Sequence, residues 1–241
     1  MQEHHLPRLD LRFWCGLTAA SVLGADLGDF GAHNLGLGHV EGLPILAAIF
    51  AILLLVERFL NWRTEALYWA VIVVVRAAAT NLGDLATHDL KLSYPATIVV
   101  LALALGALAL WQQEAGRGFP FGGRPSVGAS YWLAMFLAAT LGTALGDDCA
   151  DLIGLGASSL IWAAVWAVAL AATLIAVPYR ATAYWGMVAV VRTLGTNLGD
   201  YSCDGDGLGL GLAGGSLAAF ALLVLVLVLW RPRREAVAAA D

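Results

Sequence analysis

Apolar stretches recur along the chain at lengths that suit a bilayer. Residues 92–113, 125–146, 152–179 and 207–230 contain no Asp, Glu, Lys or Arg. Each is long enough for the helix of about 20 residues that crosses a hydrocarbon core of about 30 Å. A shorter stretch, Pro44–Val56, extends past Arg58 to Leu60 if that arginine snorkels to the interface. Phe13–Gly28, Leu67–Gly83 and Ala183–Gly199 are apolar apart from isolated charges. Taken as spans, these segments predict eight helices. A central Arg or Asp costs about 2.5–3.5 kcal/mol on insertion, so the three interrupted segments need further support.

An internal repeat supplies it. Leu-Gly-Asp occurs at 27–29, 82–84, 145–147 and 198–200, and each copy follows an aromatic-Trp pair: Phe13-Trp14, Tyr68-Trp69, Tyr131-Trp132 and Tyr184-Trp185. From Trp to Asp is 15 residues in all four copies, a register that chance similarity does not keep. Four residues before the Asp stand Ala25, Thr80, Thr143 and Thr196, and eight before it stand Ser21, Arg76, Ala139 and Arg192. Four residues after it stand His33, His88, Asp151 and Asp204. Positions four apart share a helix face, so each odd-numbered helix carries a polar stripe. Copies 2 and 4 agree best, with Thr80-Asn81-Leu82-Gly83-Asp84 against Thr196-Asn197-Leu198-Gly199-Asp200.

Each repeat holds two spans, so all four enter the membrane in the same direction, about an axis along the membrane normal. The expected fold is an all-α polytopic membrane protein of eight transmembrane helices, built from four two-helix repeats in parallel. Its halves are residues 1–125 and 126–241, integrated into one membrane domain. The striped helices face a common centre, and the even-numbered helices face lipid. The pairs Gly24 and Gly28, Ala79 and Gly83, Gly142 and Gly146, and Gly195 and Gly199 give the small-xxx-small spacing of close helix approach. At 1.5 Å per residue, each motif Asp lies about 22 Å beyond its Trp. Gly-rich connections follow, and the helices are expected to break near the motif Gly.

Composition and charge narrow the reading. The 241 residues are 60% hydrophobic and 13% charged, against about 25% charged in soluble domains. Three Cys exclude a disulfide scaffold, and a net charge of −5 without a basic patch excludes nucleic acid as a partner. Cys15, Cys149 and Cys203 read as inert small residues. Arg8, Arg12, Arg58, Arg63, Arg117, Arg124, Arg180, Arg231, Arg233 and Arg234 fall on one predicted side and only Lys91 on the other. Both termini are therefore expected in the cytoplasm, with Trp62, Trp111 and Trp230 at that interface. Glu41, Glu57, Glu65 and Glu114 sit at helix ends and read as solvated.

Ionisable groups at membrane depth usually face a cavity and mark an ion or proton path. The candidate ion site is Asp29, Asp84, Asp147 and Asp200, with Asp26, Asn81, Asn197, Thr80 and Thr196 beside them. His33, His88, Asp151 and Asp204 complete a carboxylate and imidazole set suited to Mn, Fe, Co, Ni or Zn as substrate. Arg76 and Arg192 could form an inner electrostatic gate, or neutralise two of the Asp as structural pairs.

The Tyr-Trp pair, the small-residue stretch and Gly195-Thr196-Asn197-Leu198-Gly199-Asp200, with Thr80–Asp84 as a close copy, resemble a family of bacterial uncharacterised membrane-anchored proteins built from a repeat of unknown function. The resemblance covers all four copies and implies a bacterial inner-membrane location. Copies 1 and 3 depart from it at Ala25-Asp26 and Thr143-Ala144, which would make a site two-fold rather than four-fold. It implies no substrate. The residues favour a proton-coupled transporter, an exporter, of a divalent metal cation. The alternatives are a non-transporting scaffold or sensor held by Asp-Arg pairs, and a small-anion transporter using Arg76 and Arg192. No nucleophile–base pair marks an enzyme. The partners expected are the lipid bilayer, a small cation and protons, with a homo-oligomer left open.

Overall fold

The computed structural model of the chain describes residues 7, 9–59, 64–114, 127–175 and 181–230. Of the residues that set the predicted orientation, Arg12, Arg58, Lys91, Trp111 and Trp230 are among them. Arg8, Arg63, Arg117, Arg124, Arg180, Arg231, Arg233 and Arg234 lie outside the described residues, as do Leu60 and Trp62.

The described residues form eight helices: α1 (Leu11–Asp29), α2 (Gly38–Phe59), α3 (Glu65–Asp84), α4 (Tyr94–Glu114), α5 (Ala129–Ile153), α6 (Leu155–Ile175), α7 (Ala181–Cys203) and α8 (Gly211–Leu229). The Asp10 carboxylate caps α1 by accepting from the Phe13 amide at 3.0 Å, and the Thr64 hydroxyl caps α3 by accepting from the Leu67 amide at 3.2 Å. These caps satisfy amides that have no partner within the helix.

The helices do not break at the motif glycines. Both α5 and α7 run past them to Ile153 and Cys203, while α1 and α3 continue into π-helical turns over Phe30–Asn34 and Leu85–Asp89. A helical glycine is tolerated at about 1 kcal/mol, and here close packing offsets that cost. The breaks come later, at residues such as Gly36, Gly38 and Gly154 with φ of +67°, +64° and +85°.

Six described helices are long and apolar enough to cross a membrane: α2, α3 with its π turn, α4, α5, α6 and α8. That is the pattern of a multi-pass membrane protein. Neither α1 nor α7 meets the same measure, because polar side chains displace apolar ones along them. Those side chains are turned inward: Ser21, Arg192, Thr193 and Asn197 are all fully buried.

The odd helices form a closed ring, with α1 against α3, α3 against α5, α5 against α7 and α7 against α1. The even helices pack outside it, α2 on α3, α4 on α5, α6 on α7 and α8 on α1. Only 6–17% of the apolar windows of the even helices is buried, against 56% for α3 and 67% for α5. The large apolar side chains of the even helices therefore face outward as a continuous coat.

The same motif positions meet at every ring interface. A Cβ added to Gly28 would stand 2.8 Å from Thr80 Cβ, one on Gly83 3.0 Å from Thr143 Cγ2, one on Gly146 3.2 Å from Thr196 Cβ, and one on Gly199 3.3 Å from Ala25 Cβ. The motif glycine thus receives the side chain four residues before the next motif Asp. That spacing lets the helix backbones approach closely.

At the other end of the ring the aromatic pairs interlock. Phe13 meets Trp69 with ring centroids 5.8 Å apart, Tyr68 meets Trp132 at 6.2 Å, Tyr131 meets Trp185 at 5.3 Å and Tyr184 meets Trp14 at 5.8 Å. Three hydroxyls join at the centre, Tyr68 to Tyr131 at 2.8 Å and Tyr131 to Tyr184 at 3.1 Å. The result is a buried plug. Glu65, read as solvated, is paired with Arg12 and accepts from Trp69 Nε1 at 3.1 Å, so it belongs to the rim of this plug.

Candidate functional site

The opposite end of the ring opens into a cavity of about 990 Å³. Its wall follows the helical stripe in three tiers. Ala25, Thr80, Thr143 and Thr196 form the deepest, Asp29, Asp84, Asp147 and Asp200 the middle, and His33, His88, Asp151 and Asp204 the outermost. Each tier takes one residue from each odd helix or its extension. Asp89 and Asp206 add two further carboxylates at the wall.

The floor is organised by Arg192 of α7, which is fully buried. Its Nη1 donates to the Ser21 carbonyl of α1 at 2.8 Å, its Nε and Nη2 donate to Thr143 Oγ1 of α5 at 3.1 and 3.0 Å, and its Nη2 also donates to Thr80 Oγ1 of α3. One guanidinium therefore ties all four inner helices together. Arg76, the matching residue of copy 2, is equally buried but donates only to Met135 Sδ, at 3.5 Å, and its Nε and Nη1 have no hydrogen-bond partner.

Neither arginine lines the cavity. Among the described residues no ion pair joins Arg76 or Arg192 to a motif carboxylate; the charged pairs there are Arg12 with Glu65, and His39 or His88 with Asp84 or Asp89. Among the described residues, then, the motif carboxylates have no direct ion pair with either arginine. The carboxylates are left facing the cavity, and Asp147 Oδ2 and Thr196 Oγ1 are buried there without a partner.

Asp26, Asn81 and Asn197 are placed behind the wall rather than on it. Asn197 is a strut: its Oδ1 accepts from Ser158 Oγ of α6, and its Nδ2 donates to the Gly146 carbonyl of α5 at 3.1 Å. Asn81 lies against Gly42 of α2, where no hydroxyl is available, and its Oδ1 has no partner. Asp26 is buried against Gly199 and Gly215, beside the free thiol of Cys203. Cys15 and Cys149 are also free.

Asp89, Asp206 and two residues at helix starts escaped the sequence reading. His39 opens α2 and Tyr94 opens α4, and both stand ten residues after their motif Asp. The connection folds each back over the cavity mouth. His39 Nδ1 donates to Asp89 Oδ2 at 3.0 Å, and the His39 ring meets the His33 ring edge-on at a centroid distance of 5.6 Å. The Tyr94 hydroxyl stands 3.4 Å from His88 Nε2. A shared ten-residue offset was the available signal. It was obscured because the two residues differ in type.

This chemistry suits cations. Oxygen-rich walls with imidazoles at one side attract and partly dehydrate positive ions. Among the described residues no three His, Cys, Asp or Glu side chains are already drawn together as a metal centre. An ion in the cavity would therefore keep part of its water shell or draw the donors inward.

No curated protein and no solved structure matches the chain. The model of the Repeat of Unknown Function (DUF347) matches residues 67–117, which run through α3 and α4, and residues 183–235, which begin in α7, so the similarity falls on the two copies whose motifs agree best.

Proposed function

We propose that the chain is a proton-coupled transporter of a divalent metal cation, with the acidic cavity as its outward vestibule. The observation that carries this reading is the convergence of Asp29, Asp84, Asp147 and Asp200 on one cavity without arginine partners. Carboxylates buried beside low-dielectric walls hold either a proton or a cation, because an uncompensated charge there is expensive. Exclusive occupancy of that kind couples the two in opposite directions. An inward proton gradient then drives the cation outward, which makes the protein an exporter. The Arg192 floor repels a cation that moves further in, and the aromatic plug seals the other end until the ring rearranges.

In this reading all eight helices span the membrane as four parallel two-helix repeats, with both termini in the cytoplasm of a bacterium and the bundle in its inner membrane. The recurrence of one contact pattern at four ring interfaces supports that arrangement. Small-anion transport has less support, since Arg76 and Arg192 lie off the cavity wall. The test is cellular metal content across a panel of divalent metals for Asp84→Asn and Asp200→Asn. Metal accumulation with normal protein levels is the expected outcome, and unchanged content for every metal would refute the reading.

A further inference from the structure

One corner of the vestibule differs from the rest. Asp84 is only 9% exposed, and its two carboxylate oxygens face imidazole nitrogens from two directions: Oδ2 lies 3.9 Å from His39 Nε2 and Oδ1 lies 3.8 Å from His88 Nδ1. Both distances exceed a hydrogen bond, which ends near about 3.2 Å. Each pair falls inside about 4.2 Å, twice a metal–ligand bond of about 2.1 Å and the furthest that two donors of one ion can stand apart, so an ion fits between Asp84 and either imidazole, while the three donors are not preassembled as one centre.

The His39 side chain is only 11% exposed, and its Nε2 is buried with no hydrogen-bond partner. A ring nitrogen left unpaired in a polar wall is costly. Its orientation is fixed from behind, because Nδ1 donates to Asp89 Oδ2 at 3.0 Å. With Nδ1 donating to Asp89, a neutral His39 keeps its Nε2 lone pair free on the side of Asp84. A carboxylate behind a histidine in this way is the usual support of a metal-binding imidazole. His88 is held more loosely: its Nε2 lies 3.4 Å from the Tyr94 hydroxyl and its Nδ1 lies 3.3 Å from Thr87 Oγ1, a contact that metal binding would replace. The π-helical turn over Leu85–Asp89 displaces His88 and Asp89 from α-helical positions, and such turns concentrate at functional sites.

We infer that Asp84, His39 and His88 form a selective site for a first-row divalent transition metal ion at the mouth of the vestibule, with Asp89 orienting His39. The inference rests on the vestibule reading and narrows its substrate. Asp147 and Asp200, followed four residues on by Asp151 and Asp204, offer oxygen alone, which suits Mg²⁺ and Ca²⁺ equally well. Imidazole nitrogen distinguishes Mn²⁺, Fe²⁺, Co²⁺, Ni²⁺ and Zn²⁺ from those two. Binding of one ion by all three donors draws the His39 and His88 imidazoles together over Asp84, and His88, which is largely exposed, swings to reach it.

Zn²⁺ is the probe. It is titrated calorimetrically into the purified full chain in lipid nanodiscs, with Mg²⁺ in excess, and X-ray absorption at the zinc edge counts the imidazole ligands. Wild type should bind Zn²⁺ despite the Mg²⁺ and show two imidazoles. Removing one supporting carboxylate typically weakens a metal site by about 10–100-fold. Asp89→Asn, an exposed change that leaves the fold intact, should do so, and His39→Ala should weaken Zn²⁺ at least as much and remove one imidazole. Zn²⁺ bound with oxygen ligands alone, or unchanged affinity in both variants, would overturn this site and leave the acidic vestibule standing. Zn²⁺ that fails to bind saturably to wild type would overturn both.

Discussion

Gly142 of α5 is a ring position where three atoms of α7 crowd the space an added atom would take. A Cβ there would lie 2.6 Å from Arg192 Cβ, 2.7 Å from Arg192 Cγ and 2.8 Å from the Ala189 carbonyl oxygen. Carbon contacts settle at about 3.5–4.0 Å, so Gly142→Ala forces α5 and α7 apart by about 1 Å. Arg192 cannot swing aside, because its guanidinium is bonded to Ser21, Thr80 and Thr143 on the other three ring helices. Overpacking of this kind costs about 1–3 kcal/mol, and the fixed backbone oxygen puts it near the upper end. Alanine regains about 1 kcal/mol over glycine through helix propensity, for a net loss of about 1–2 kcal/mol. At about 2–4 °C per kcal/mol for a chain of this size, the melting temperature should fall by about 2–8 °C. Gly186 on α7 has no heavy atom within 4 Å of its added Cβ. Gly186→Ala should therefore gain the propensity term alone and melt slightly higher. Tryptophan fluorescence during thermal unfolding in detergent reads both, and Gly142→Ala melting at or above Gly186→Ala would refute the close-packed ring.

The two asparagines should behave unequally despite their matching motif positions. Asn197→Ala removes bonds to Ser158 and Gly146 and should cost about 1–3 kcal/mol in the same melt. Asn81→Ala removes an acceptor that already lacks a partner and should cost clearly less; equal losses would show that Asn81 is also a strut. Tyr131→Phe breaks both links of the buried hydroxyl chain and should destabilise by about 1–3 kcal/mol, at about 0.5–1.5 kcal/mol per bond. It should also raise proton leak through vesicles carrying the protein, and a wild-type leak rate would remove the plug from the proton barrier.

Much of the ring was legible in the sequence because a helix converts spacing into position. The 15-residue interval from Trp to Asp separates a plug from a vestibule, and residues four apart became the three tiers of the cavity wall. The small residues marked where backbones meet, as Gly28 against Thr80 illustrates. What sequence spacing could not supply was anything set by the turn between helices. His39 and Tyr94 reach the cavity only because the connections after Asn34 and Asp89 fold back. The partners of the arginines were equally hidden: Arg76 and Arg192 occupy one motif position, yet one is bonded to three helices and the other mainly borders Met135. Likewise Glu65 is exposed, as its place at a helix end implied, but its pairing with Arg12 of the neighbouring helix was not legible in the spacing.

Cation–proton exchange can be read in liposomes containing the purified chain, with Mn²⁺ inside and an outward-facing or inward-facing proton gradient imposed. Wild type should move Mn²⁺ against the direction of proton flow and acidify or alkalinise the lumen in step. The double variant Asp147→Asn and Asp200→Asn should do neither while melting at a temperature close to wild type. Mn²⁺ movement that ignores the proton gradient, or that survives intact in the double variant, would contradict an exchange carried by the motif carboxylates.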